Sequence, residues 1–337
     1  LTNYKENVYI KLICTVVDRI YKMNKKIEKI LYLPNPRGFC AGVERAINIV
    51  ELSLEKYGPP IYVRHEIVHN PWVVKDLEDK GVIFVDELDE IPNGERVIFS
   101  AHGVSSIVKE EANSKNMDFT DATCPLVLKV HFEAKRHYEN GYHIFLIGHK
   151  GHPEVNGTMG QIPKNSITLL ENEKDIKKLN NNEYEKVALI TQTTLSVDDT
   201  ARLIQLLKQK FPKIIEPPRE DICYATTNRQ MAVKSIAKKC DAIYVIGGEN
   251  SSNSLRLVEV AKQSGCENNF LISDINSIDW EEMEGFSSIG LTASASAPEI
   301  LINDFLKIIN KKFKVEIRKN TIANENITFK LPKELRE

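Results

Sequence analysis

No Cys-x-x-Cys pair occurs anywhere in the 337 residues, which excludes a tetra-cysteine zinc knuckle and a two-cluster ferredoxin. The phosphate-cradling pattern Gly-x-x-x-x-Gly-Lys-Ser/Thr and the dinucleotide pattern Gly-x-Gly-x-x-Gly are missing as well, so nucleotide and nicotinamide sites have no support. No apolar run approaches the roughly 20 residues of a membrane-spanning helix; even Leu12-Ile13-Cys14-Thr15-Val16-Val17 is short. The formal charge is only -2, and no basic stripe with interleaved aromatics is present, which argues against nucleic acid as a partner. Six cysteines are too few for a disulfide framework in a chain of this size. With no secretory signal in view, a reducing compartment is expected. Leu rather than Met comes first, which suggests a processed or truncated chain.

The composition that remains is 42% hydrophobic and 27% charged, that of a soluble globular protein, at a length that predicts two or three domains. The lysine excess over arginine and runs such as Asn180-Asn181-Asn182 read as nucleotide bias carried in solvated loops. The organising features are three solitary cysteines: Cys40 in Pro36-Arg37-Gly38-Phe39-Cys40-Ala41-Gly42, Cys124 in Asp121-Ala122-Thr123-Cys124-Pro125, and Cys223 in Asp221-Ile222-Cys223-Tyr224. Each stands where a loop passes into a helical apolar period: Val43, Ala46, Ile47 and Val50; Val127, Val130 and Ala134; Ala232, Val233, Ile236 and Ala237. A thiol at a helix start faces unpaired backbone N–H groups, which favour its thiolate and its use as a metal ligand.

Each cysteine is followed by a helix, a strand and a polar loop. The loops are Arg64-His65-Glu66-Ile67-Val68-His69-Asn70, Gly148-His149-Lys150-Gly151-His152-Pro153-Glu154 and Gly247-Gly248-Glu249-Asn250-Ser251-Ser252-Asn253-Ser254. His69 lies 29 residues after its cysteine, and His152 and Ser251 each lie 28 after theirs. A further strand in each unit leads to a second polar loop: Ser100-Ala101-His102-Gly103, Thr191-Gln192-Thr193-Thr194, and Thr292 to Pro298. Three degenerate copies of one αβ unit are therefore expected, at 29–121, 122–218 and 219–309. An extension at 1–28, with a short helix around Leu12–Tyr21, precedes them. A charged tail at 310–337 follows and returns towards the first unit.

Three thiols with no fourth in a comparable context suggest an incomplete tetrahedral site. Zinc with an open position fits, as does a [4Fe-4S] cluster whose fourth iron is left free. Cys14, Cys240 and Cys266 need no more than packing or exposure, and His131 and His137 read as surface or packing histidines. His69, His102 and His152 with Ser251, Ser252, Asn253 and Ser296 form a plausible anion pocket, suited to a diphosphate. Glu154 is the best proton source, because a partly dry site raises a carboxyl pKa; Thr193 could orient a hydroxyl or relay that proton. His65 to His69 has the His-Glu-x-x-His spacing of zinc proteases. It follows a strand and ends at Asn70-Pro71, leaving no helix to align the histidines, so that reading fails.

Together these stretches, with Asn35-Pro36-Arg37-Gly38-Phe39-Cys40 and Thr191-Gln192-Thr193-Thr194-Leu195-Ser196, resemble the LytB-type iron–sulfur family, the 4-hydroxy-3-methylbut-2-enyl diphosphate reductases, over roughly residues 29–335. Ser294 stands where that family's pattern leads one to expect glycine. The resemblance implies an α/β fold of three lobes in a trefoil around a central cavity, and one [4Fe-4S] cluster on Cys40, Cys124 and Cys223. It implies reductive dehydration of an allylic diphosphate to isopentenyl and dimethylallyl diphosphate, with Glu154, Thr193 and His152 catalytic. His69, His102, His152, Thr193, Thr194, Ser251, Ser252, Asn253 and Ser296 would bind substrate. A ferredoxin or flavodoxin-type electron donor is implied, with neither nucleic acid nor membrane as partner. So is a plastid-type organelle stroma in a eukaryote, or the cytoplasm in a bacterium. The alternatives are a non-redox iron–sulfur hydro-lyase and a non-catalytic small-molecule-binding protein.

Overall fold

The computed structural model describes residues 26–336, so the expected helix around Leu12–Tyr21, Cys14 and nearly all of the extension 1–28 lie outside the described residues. Strand β1 (Glu28–Asn35) is followed by α1 (Ala41–Tyr57), β2 (Ile61–Arg64), α2 (Pro71–Asp79), β3 (Val82–Val85), β4 (Arg96–Phe99), α3 (Ser106–Ser114) and β5 (Asp118–Asp121). Next come α4 (Pro125–Glu139), β6 (His143–Ile147), α5 (Pro153–Met159), β7 (Ile167–Leu170), α6 (Glu173–Lys178), β8 (Val187–Thr191) and α7 (Val197–Lys210). The last stretch holds α8 (Tyr224–Ala237), β9 (Ala242–Ile246), α9 (Ser252–Gln263), β10 (Asn268–Ile272), α10 (Trp280–Glu284), β11 (Ser288–Ala293), α11 (Glu299–Lys312) and β12 (Lys314–Thr321).

These strands form three parallel sheets, ordered β3-β2-β4-β5, β7-β6-β8 and β10-β9-β11-β1-β12. Strands such as Val187–Thr191 and Ala242–Ile246 are buried at every residue. Continuous apolar runs of this kind are what a parallel sheet covered on both faces requires. The same three-strand unit recurs in every sheet. A helix led by one of the three cysteines enters a middle strand, the next strand pairs on one side and the one after on the other. Strand order therefore reverses at the middle strand, and the crevice beyond the carboxyl ends there is the place where open α/β sheets bind ligands. The two polar loops of each unit leave those ends.

Strand pairing corrects the grouping of residues 29–121. β1 pairs with β11 (Leu31 with Ile289) and with β12 along its whole length, from Glu28 opposite Lys314 to Asn35 opposite Thr321. Leu31 and Leu33 pack in the core formed with Ile302 and Phe305, so the first strand belongs to the last sheet. The tail beyond Lys311 begins as the edge strand β12, mostly exposed, where charged side chains cost nothing and discourage pairing with another chain. Farther on, Arg45 Nε donates to the Lys330 carbonyl at 2.8 Å, and Leu335 is buried with Ile49 and Ile61 against α1. Helices α3 and α10 and the acidic edge strand β5 were not anticipated from sequence; all are short and predominantly polar.

One fully buried side chain ties the far ends of this topology together. Arg229 on α8 donates to the Gly38 carbonyl at 2.7 and 2.9 Å, to Phe39 at 3.0 Å and to Ala225 at 2.9 Å, and it pairs with Glu325 at 3.0 Å. It thereby locks the loop before Cys40 against the helix after Cys223. Arg229→Met keeps bulk but strands several carbonyls and a carboxylate. It should destabilise the fold by about 3 kcal/mol, since broken buried pairs and orphaned acceptors cost that order. Denaturant melts would show it as a lowered midpoint, and a change below ~1 kcal/mol would contradict the buried network's importance.

Candidate active site

All three expected cysteines are helix N-caps: Cys40 for α1, Cys124 for α4 and Cys223 for α8. The side chains of Cys40 and Cys124 make no capping bond, while Cys223 Sγ sits 3.2 Å from Thr226 Oγ1 and 3.4 Å from the Thr226 N–H. Although far apart in sequence, the three thiols line a single cavity. Burial raises all three pKa values, and repulsion from Cys40 adds to it, pushing Cys124 up to about 12 and Cys223 to about 11. The helix N-termini do not outweigh burial, contrary to the simple expectation of three stabilised thiolates. A cationic metal group would reverse that balance by ligating the deprotonated sulfurs.

The residues present fit such a group. A Cβ on Gly42 would stand 2.6 Å from Cys124 Sγ and 3.8 Å from Cys40 Sγ, so the chain keeps the space between two thiols open by having glycine there. Among the described residues, no three His, Cys, Asp or Glu groups are drawn together tightly enough to hold one ion. The thiols surround a shared space instead, which suits a cluster better than a mononuclear zinc. Cys240 and Cys266 are buried in a separate apolar core, as expected of packing residues.

Opposite the thiols lies a group of three imidazoles. His69 stacks on His102 with centroids 4.0 Å apart, and His152 stands edge-on to both at 5.5 and 5.9 Å. Burial pushes His152 down to about 3 and His102 well below the usual range, so both rings are neutral at physiological pH. His152 Nδ1 accepts the Glu154 N–H at 3.1 Å, which leaves its proton on Nε2. His69 Nδ1 meets Glu66 Oε2 at 3.0 Å, and Asn250 Nδ2 donates to the same oxygen at 2.7 Å. These bonds hold the Glu66 carboxyl below its ordinary pKa against the opposing effect of burial. His69 Nε2 is buried without a partner: an orphaned polar atom on a ring that lines the cavity.

The third wall comes from β11 and the start of α9. Ser251 caps α9 through the Ser254 N–H, and Ser252 and Asn253 occupy its first turn, so the helix N-terminus adds favourable potential for an anion. The side chains are partly committed within the protein. Ser252 Oγ donates to the Thr194 carbonyl at 3.1 Å, Ser296 Oγ to the His69 carbonyl at 2.9 Å, and Asn253 bridges Thr226 Oγ1 and the Ala295 N–H. Ser294, in place of the glycine expected there, has no positive φ and is fully buried, its Oγ 3.3 Å from that of Ser296. Gly247 makes room for it, since a Cβ there would fall 2.6 Å from Ser294 Oγ.

Glu154, 2% exposed, is gripped by one residue. The Thr193 N–H donates to Oε1 at 2.6 Å and the Thr193 hydroxyl to Oε2 at 2.9 Å. The Thr193 carbonyl in turn accepts the Cys223 N–H at 3.0 Å, so the carboxyl and a thiol share one backbone anchor. Burial drives Glu154 up to about 7, with Asp221 adding and the Thr193 bonds opposing. Thr194 also lines the cavity.

Two further histidines of the polar loops fall outside this group. His65 pairs with Asp86 and Arg64 with Glu87, while Glu66 turns to His69. His149 lies in a neighbouring crevice with Arg256 and Glu171. His131 and His137 are buried packing residues. Glu66, Asn250 and Thr226 escaped sequence reasoning; Glu66 and Asn250 lay inside the polar loops already singled out, which was the one available signal.

Residues 31–310 match the family described as LytB protein. The chain is 54% identical over 307 residues to the 4-hydroxy-3-methylbut-2-enyl diphosphate reductase of Roseobacter denitrificans, covering 91% of this chain and 97% of that one. With the enzyme of the same name from Paracoccus denitrificans it shares 52% over 315 residues, covering 94% and 100%. The solved E-1-hydroxy-2-methyl-but-2-enyl-4-diphosphate reductase from Plasmodium falciparum superposes with a TM-score of 0.87 at 43% identity, covering 92% of this chain and 97% of that chain. The expected three-lobed α/β trefoil is the fold it shares with such structures. A family match that runs through all three sheets, with more than half of the aligned residues identical to those of curated bacterial relatives, makes this chain a member of the LytB family.

Proposed function

We propose that this chain reduces 4-hydroxy-3-methylbut-2-enyl diphosphate to isopentenyl and dimethylallyl diphosphate, with one [4Fe-4S] cluster held by Cys40, Cys124 and Cys223. The observation that carries the reading is the meeting of three distant thiols with an imidazole-lined anion pocket and a buried carboxyl in one cavity. When bound, the cluster supplies electrons singly and an exposed iron as Lewis acid. The chain's own residues do the rest. The Nε2–H of His152, His69 and His102, and the α9 N-terminus with Ser251, Ser252, Asn253 and Ser296, receive the diphosphate oxygens. Thr193 and Thr194 orient the hydroxyl-bearing end, and Glu154, protonated to a useful fraction near neutral pH, delivers the proton with Thr193 fixing its carboxyl. Water is kept out by the depth of the site.

The three units, 29–121, 122–218 and 219–309, act as walls that bring one thiol and two polar loops each, with β1 on loan to the third. Lacking a flavin motif or second-cluster pattern, the chain takes electrons from a ferredoxin or flavodoxin-type carrier. Its place is a plastid-type stroma in a eukaryote and the cytoplasm in a bacterium. No helix among the described residues is long and apolar enough to cross a membrane.

Anaerobic reconstitution with iron and sulfide tests the reading. The loaded chain should convert the hydroxylated diphosphate to both isoprenoid diphosphates with reduced methyl viologen, consuming two electrons per product. A loaded protein that consumes none, yet dehydrates the substrate, would be a hydro-lyase; one that does neither would be a binding protein.

A further inference from the structure

Phe132 on α4, 67% accessible, is the most exposed aromatic side chain among the described residues. It is not a lone apolar residue on a polar surface. With Pro125, Leu128, Lys129, Glu133 and Arg136 it lines a shallow groove. Cys124 caps this same helix, and its first turn divides between two sides: Pro125 and Leu128 face the groove, while Leu126 and Val127 line the thiol cavity. One helical turn is the whole wall between them. At 1.5 Å of rise per residue, Leu128 lies about 6 Å and Phe132 about 12 Å along the axis from Cys124.

The rim of the groove is cationic. Among the described residues Lys135 and Arg136 have no ion-pair partner. Lys129 donates to the carbonyls of Arg219 and Glu220 and to Asp221 Oδ1 at 2.9, 3.1 and 3.0 Å, which fastens the equally unpaired Arg219 beside the groove. Glu133, 7% exposed, is turned towards Lys129, its Oε1 3.8 Å from the Nζ, and leaves Arg136 without an ion pair. The other two cysteine-led helix starts are closed off by the C-terminal segment. Glu325 binds Arg229 and Asn228 on α8, and the Lys330 carbonyl binds Arg45 on α1.

We propose that the groove over Phe132 is the docking surface for an acidic one-electron carrier protein. The inference rests on the reductase reading above. A reductase with one redox centre must be supplied from outside, and tunnelling falls off exponentially with distance, so the carrier has to sit against a thin wall next to the thiols. An apolar centre with a basic rim is the complement of a carrier whose cluster or flavin is exposed within acidic surface. Each encounter oxidises the carrier by one electron. Two encounters deliver the pair that, with two protons, cleaves the allylic C–O bond and releases water.

The test titrates the cluster-loaded full chain with a plant-type [2Fe–2S] ferredoxin, at low and high salt, for wild type, Phe132→Asp and Arg136→Glu. Wild-type binding should weaken with salt, and each variant should lose at least about tenfold in affinity. Ferredoxin-driven turnover at limiting carrier should fall in parallel, while viologen-driven turnover stays unchanged. Absent binding to wild type, wild-type affinity in both variants, or an equal loss with viologen would overturn the proposal. If wild type shows no viologen-driven turnover at all, the reductase reading is what fails; the titration still decides the groove.

Discussion

Glu154→Gln should load its cluster and bind substrate normally yet turn over at least ~10²-fold more slowly, the low end for loss of a general acid. The substitution is nearly isosteric, and Thr193 can still donate its N–H to the amide oxygen, so the two bonds that now position the carboxyl have near-equivalents. What disappears is a proton held at a useful pKa. Burial places the wild-type carboxyl at about 7, so its protonated fraction, and with it the rate, falls as pH rises through that value. The glutamine variant should lack that descending limb. Single-turnover measurements across pH on cluster-loaded protein decide the matter. Near-normal turnover would remove Glu154 from the mechanism, and an unchanged pH profile would assign the limb to another group.

Replacing any one of Cys40, Cys124 or Cys223 by serine should abolish the visible iron–sulfur absorption and most of the bound iron. Turnover should fall by more than the ~10²-fold that loss of a mere outer partner of a metal site produces. A cluster held by three thiolates has no spare ligand, and a serine hydroxyl in a site this buried is a poor anion. Cys240→Ser and Cys266→Ser serve as controls, because both sulfurs lie in an apolar core away from the cavity. Iron analysis and electron paramagnetic resonance read the outcome directly. Full iron in a Cys40, Cys124 or Cys223 variant would sink the ligand assignment, and iron loss in a control would show that the effect is one of folding.

Much of the site was legible because the helix starts are written locally. Gly38, Gly42 and Pro125 punctuate the loops before and within the first turns, and apolar residues at helical spacing follow each cysteine, so all three N-caps fall where expected. The near-equal spacing from cysteine to polar loop reflects one helix of 14 to 17 residues and one strand of four or five in each unit. Arg229 gave no such signal, since its partners are backbone carbonyls from a distant loop. Nor did Glu66, whose neighbours Arg64 and His65 pair with Glu87 and Asp86 while it alone turns to His69.

By itself, then, the chain's sequence determined which residue types would supply the thiols, imidazoles, hydroxyls and carboxyl, and on which kind of element each would sit, because periodicity and capping are short-range. Tertiary structure alone decided that β1 joins the last sheet, that β12 covers its edge, and that Glu154 is dry enough to hold a proton near neutrality. Those outcomes depend on long-range hydrogen bonding and on burial, which belong to the assembled molecule and leave no mark on neighbouring residues.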